Sequence, residues 1–78
     1  MNTKFSYAIG DVVRFEDSIN CSVITDAEIN NHGDMVYMVD GCVWIAHNSL
    51  SFVRDATPQS LKEARDAMHD YYARLLGN

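Results

Sequence analysis

Two short apolar runs, residues 35–39 and 42–46, meet at Asp40-Gly41, and that junction constrains the fold more than any other feature of the chain. A type I′ turn needs positive φ at both central positions, and Asp followed by Gly reaches that conformation at little cost. The pair predicts a tight antiparallel hairpin. Both runs are apolar at successive positions rather than alternate ones, so each strand is expected to be covered on both faces.

The rest of the first 54 residues follows the same grammar. Ile9-Gly10 introduces a short strand at 11–15, and Glu16-Asp17-Ser18 gives a polar turn after it. In 21–29, Cys21, Val23, Thr25, Ala27 and Ile29 alternate with Ser22, Ile24, Asp26 and Glu28, which predicts a strand with the first set on its apolar face. Asn30-Asn31-His32-Gly33-Asp34 is a turn of residues that tolerate positive φ. His47-Asn48-Ser49 reads as one helical turn, and 50–53 as a brief fifth strand. Strands this short at hairpin spacing suit a small barrel better than a sandwich.

Residues 57–77 predict one helix. Thr57 is a good N-cap, Pro58 occupies the first helical position, and Gly77 suits the C-terminal cap. Leu61, Ala64, Met68, Tyr71 and Leu75 recur at spacings of three and four, with Tyr72 and Leu76 widening the stripe. That stripe is expected to pack on the strands. Its spacing would also serve a homodimer joined through the C-terminal helix.

With 78 residues the chain is expected to be a single domain, 1–78, with a β-barrel at 1–54 and the helix at 57–77. A chain of this size buries only about 60–65% of its extended surface, so every element has to pack or a partner has to help. The opening Met1-Asn2-Thr3-Lys4-Phe5 lacks the long apolar run of a signal peptide, and neither apolar run approaches a membrane span. The expected location is cytoplasmic. Two cysteines, Cys21 and Cys42, are too few for a secreted disulfide scaffold and are expected to be reduced thiols acting as small apolar residues.

The net charge is −5, from six Lys and Arg against eleven Asp and Glu, and the segment 1–54 carries most of it. Nucleic-acid affinity comes largely from neutralising phosphates, so direct DNA or RNA binding is disfavoured.

Ile9-Gly10-Asp11-Val12-Val13-Arg14-Phe15 resembles the "hydrophobic-Gly-Asp-x-Val-x-hydrophobic" opening of small SH3-like barrels, including the KOW and Tudor-like types. Asn48-Ser49-Leu50-Ser51-Phe52-Val53 resembles the turn and last strand that close them. The resemblance covers about two-thirds of the chain and implies an α+β fold: a small five-stranded antiparallel SH3-like β-barrel followed by one C-terminal α-helix. RNA-gripping KOW barrels are basic and this chain is acidic. Peptide-binding SH3 domains cluster their aromatic residues, whereas Phe5, Tyr7, Phe15, Tyr37, Trp44 and Phe52 are spread along this sequence. The compact acidic build is also similar to small phage or prophage accessory proteins, some of which inhibit host enzymes or defence complexes.

Catalysis is not expected. His32, His47 and His69 are candidate bases, but none lies in a nucleophile motif, and a Cys–His pair would need an adjacency that spacing does not supply. Cys21, His32, Cys42 and His47 are acceptable zinc ligands at the wrong intervals, so no metal or other cofactor is expected. Trp44 with Tyr37, Met35 and Met38 is the candidate contact patch, because Trp and Tyr dominate interface hot spots and Met adapts to a partner's shape. The competing expectation places Trp44 in the core or under the helix. Asp11, Glu16, Asp17, Asp26, Glu28, Asp34 and Asp40 are expected either to keep the surface solvated or to steer the protein onto a partner with a basic surface. The function expected is a non-enzymatic protein-binding module, a phage-type regulator or inhibitor of the anti-defence, anti-CRISPR kind. The alternative is a nucleic-acid-associated KOW or Tudor-like barrel.

Overall fold

The computed structural model of the chain describes residues 5–77. Five strands, β1 (Val12–Phe15), β2 (Cys21–Ile29), β3 (Met35–Val39), β4 (Val43–Ala46) and β5 (Leu50–Arg54), are followed by one helix, α1 (Pro58–Leu75). A 3₁₀ turn, His47–Ser49, joins β4 to β5. All strand pairs are antiparallel and their order across the sheet is β4-β3-β2-β1-β5. The architecture is therefore α+β. The sheet is not closed: among the described residues β4 and β5 are its two edges, with no ladder between them.

The Asp40-Gly41 hairpin forms as its chemistry dictates. Asp40 has φ 54° and Gly41 φ 62°, and the Cys42 amide donates to the Val39 carbonyl at 3.0 Å. Cys42 belongs to the turn, so β4 begins at Val43.

In β2 the simple alternation fails. Ile24 pairs with Val39 and Ala27 with Tyr37, so two residues separate positions on one face where a regular strand has one. This is a β-bulge at Thr25, and it swaps the faces of everything before it. Ile24, expected on the polar face, is fully buried, while Cys21 is exposed. Thr25 serves the bulge directly. Its hydroxyl donates to the Met38 carbonyl at 3.0 Å and accepts from the Gly41 amide at 3.1 Å, satisfying two groups that the broken ladder would orphan.

The main core lies on one face of the sheet and contains Val13, Ile24, Tyr37, Val39 and Leu50, with Phe5, Tyr7, Ala27, Met35 and Ile45 packed against it. Tyr37 also anchors the segment before β1. Its hydroxyl accepts from the amides of Ser6 at 3.0 Å and Tyr7 at 3.2 Å and donates to the Met35 sulfur at 3.7 Å.

Helix α1 packs on β2 on the opposite face, where Val12, Thr25 and Met38 are buried along with Ser60 and Ala64. Thr57 and Ser60 form a reciprocal capping box. The expected stripe holds in part: Ala64 is buried and Met68 and Tyr71 are half-buried, with Ser60 buried beside them, while Leu61, Tyr72, Leu75 and Leu76 remain exposed. The reason is closeness: a Cβ on Gly41 would lie 2.6 Å from the Ala67 carbonyl oxygen, so the helix backbone rests almost directly on the hairpin turn, where no leucine would fit.

Candidate functional site

Exposed apolar residues line a groove beside the β4 edge of the sheet. In β4, Val43 is 49% exposed and Trp44 38%, and Phe15 at the end of β1 is 41% exposed. Val43 and Ile45 pair with Val39 and Tyr37, so they share the core face, whereas Trp44 pairs with Met38 and lies on the helix side. β3 is covered on both faces as expected, but β4 is an edge strand of which only Ile45 is half-buried against the core.

A groove of about 830 Å³ runs beside this edge. All four residues of β4 line it, together with Phe15, Ser18 and Ser22 from the β1–β2 side and Ser49 from the 3₁₀ turn. Asp40 and Arg74 stand at its end. The Arg74 Nη2 donates to the Gly41 carbonyl at 3.3 Å, tying the last turn of α1 to the hairpin.

The expected contact patch is split by this fold. Trp44 is at the surface beside the groove. Tyr37 and Met38, at 0% and 1% exposure, are buried in the core, because β3 is an inner strand of the sheet. Met35 is half-buried against the core.

The acidic positions separate as well. Asp11 is buried, and its carboxylate accepts from Ala8 at 2.9 Å through Oδ2 and from Ala56 at 3.0 Å through Oδ1. It is a structural clasp, not part of a negative surface. Asp26 is half-buried and its Oδ1 accepts from the Ala27 amide. Glu16, Asp17 and Asp40 sit exposed in turns at the groove's end of the sheet, and Glu28 and Asp34 at the other end. Asp40 also accepts from the Val23 amide at 3.0 Å.

Aromatic residues that are distant in sequence do gather. Tyr7 lies 5.1 Å from Tyr37 and 5.1 Å from His47 between ring centroids, and stacks on Phe52 at 6.3 Å. Phe5 meets Tyr37 edge-on. No local pattern signals this cluster, since it depends on the chain before β1 crossing the end of the sheet. Burial, with a smaller contribution from the Tyr37 phenol, pushes the Tyr7 pKa above its ordinary 10.0.

His47 packs on Tyr7 and has a buried Nδ1 without a hydrogen-bond partner among the described residues, while His32 and His69 are exposed. Among the described residues no three His, Cys, Asp or Glu side chains gather as a metal site. Cys21 and Cys42 are free, exposed thiols instead of packed apolar side chains. No helix among the described residues is long and apolar enough to cross a membrane. No known protein family, curated protein or solved structure matches the chain.

Proposed function

We propose that the chain is a non-enzymatic protein-binding module that seats a partner with a basic surface on the open side of its sheet. The observation that carries this reading is the contiguity of three exposed apolar residues, Phe15, Val43 and Trp44, along one groove with Glu16, Asp17 and Asp40 at its end. Apolar side chains supply affinity on desolvation, and acids around them select and steer a cationic partner. The strand order and the 3₁₀ turn between β4 and β5 support reading the sheet as an SH3-like barrel left ajar at that groove.

Occlusion of a host protein by a phage-type inhibitor, of the anti-defence kind, is the form of binding that the small acidic build favours. An acidic module of this size masks a basic surface by covering it, with no chemistry required.

The test is affinity capture from host lysate with the intact protein and with Trp44→Ala. A protein retained at physiological salt by the intact chain, released as salt rises and lost with Trp44→Ala, supports the reading. An intact chain that retains no protein, or retains nucleic acid alone, overturns it.

A further inference from the structure

We infer that β4 is the acceptor for a sixth strand, donated by an extended segment of a partner protein in which apolar residues alternate with Lys or Arg. This deepens the proposed function and rests on it.

Among the described residues the sheet has two edges, and one of them is left open to pairing. β5 carries Arg54, and its pairing with β1 is interrupted by a register shift at Val12/Val13; charge and irregularity are two devices that discourage a further strand. β4 has neither. Its four residues, Val43, Trp44, Ile45 and Ala46, contain no charge, no proline and no bulge, and each pairs in unbroken register with β3. Its far side therefore presents a regular row of backbone donors and acceptors.

The groove lies where the added strand would go. It follows the whole of β4, and its other wall is Phe15, Ser18, Ser22 and Ser49. A strand needs about 4.8 Å of lateral space beside its neighbour, and on the core side its inward side chains would meet Phe15, Val43 and Ile45. The gap between the open edge and the β1–β2 side is thus a slot with hydrogen-bonding groups along one wall and apolar surface at its base.

Charge decides which strand enters. Asp40 lines the groove, and Glu16 and Asp17 follow Phe15 directly in the turn. Arg74 is the one cation among the described lining residues, and its guanidinium is held by the Gly41 carbonyl. Outward-facing Lys or Arg side chains on the incoming strand would meet this acidic end. A second copy of this chain would bring a net charge of −5 against its own and an uncharged β4, with nothing for those acids to recognise.

The probe is a pool of short peptides alternating Lys or Arg with Val, Ile, Leu or Phe, presented to the full chain. Amide hydrogen exchange of the chain reads where each peptide sits. The expected result is protection confined to the amides of Val43–Ala46 and of the groove rim, with binding weakened roughly tenfold when alternate peptide amides are N-methylated, since that modification leaves charge and side chains intact but removes strand pairing. Replacement of Lys and Arg by Glu abolishes binding. Equal binding by the N-methylated peptides, protection away from β4, or no binding by any member of the pool overturns the inference. Protection of Val43–Ala46 that rises with protein concentration in the absence of peptide assigns the edge to a second copy and also overturns it. A lysate partner captured through Trp44 whose protection footprint misses β4 leaves the binding function standing and removes only the strand-addition mode.

Discussion

The Asp11 carboxylate holds the Ala56 amide at 3.0 Å across 45 residues of chain, and its second oxygen holds the Ala8 amide at 2.9 Å. One buried side chain therefore fixes the approach to β1 and the approach to α1 at the same point. Gly10 beside it has φ 93°, and a Cβ there would lie 2.7 Å from Leu61, so the Gly-Asp pair is where the helix N-terminus is docked. Asp11→Ala leaves two part-buried amides without acceptors. Hydrogen bonds to charged groups contribute about 1.5–3 kcal/mol each, less where water reaches the freed amide, so the expected loss is about 2–3 kcal/mol. Urea unfolding measures it, and Asp11→Asn, which can still accept at one position, should recover part of the loss.

Thr25 bridges the bulge to the hairpin through the Met38 carbonyl and the Gly41 amide. Thr25→Val keeps the shape and removes both bonds in a site that is 3% exposed. The expected cost is about 1–3 kcal/mol, from stranding those two backbone groups. In a domain this small each kcal/mol moves the melting temperature by about 4–8 °C, so thermal unfolding is sufficient to detect it.

The elements with local causes were legible in the sequence: the Asp40-Gly41 turn, the Thr57-Pro58 helix start and the succession of five short strands along the chain. The bulge was not, because alternation in 21–29 reads smoothly with Thr25 in either register, and only pairing with Val39 and Tyr37 decides that Ile24 is inside. The helix face was legible only in part, for a related reason: Ala64, Met68 and Tyr71 of the stripe are covered, but its leucines are not. Periodicity finds an apolar stripe but not the distance to what covers it, and here the close approach of Ala67 to Gly41 selects Ser60 and Ala64 over Leu61 and Leu75. Within the contact patch the sequence left Trp44 open between surface and core, and only its place on an edge strand leaves it 38% exposed. Tyr37 and Met38 are buried because strand order, invisible to composition, makes β3 an inner strand.

Gly41 tests that close approach. Gly41→Ala meets the Ala67 carbonyl at 2.6 Å in a backbone with φ 62°, so strain and overlap act together. Overpacking of this kind costs about 1–3 kcal/mol. Hydrogen exchange should show loosening centred on α1 and the hairpin, with the Arg74 contact to Gly41 lost first.

Glu16 sits at φ 46° in an exposed turn, a conformation that favours Gly or Asn over Glu. Glu16→Asn should stabilise the fold by about 0.5–1 kcal/mol, by relieving the backbone. It also removes one acid from the end of the groove. Under the proposed function, association with a basic partner should slow as stability rises, and the two effects are separated by measuring denaturant unfolding and association rate on the same variant.

Tyr7 gives the fold an alkaline limit. Its hydroxyl donates to the Leu50 carbonyl at 3.3 Å, and its pKa in the folded chain is raised above the ordinary 10.0, first by burial and then by the Tyr37 phenol. The unfolded phenol therefore loses its proton at lower pH than the folded one. A group whose folded pKa is raised contributes stability that is fully present below the unfolded pKa and is lost as pH rises through the folded value. Stability from this group should be constant at neutral pH and begin to fall near pH 10, as the unfolded state gains by ionising. Tyr7→Phe keeps the stacking on Phe52 and the contact with His47 but cannot ionise. It should cost about 1 kcal/mol at neutral pH through the lost hydrogen bond and flatten the alkaline decline. Urea unfolding of both proteins across the alkaline range measures this, and parallel pH profiles for the two would exclude Tyr7 as the group responsible.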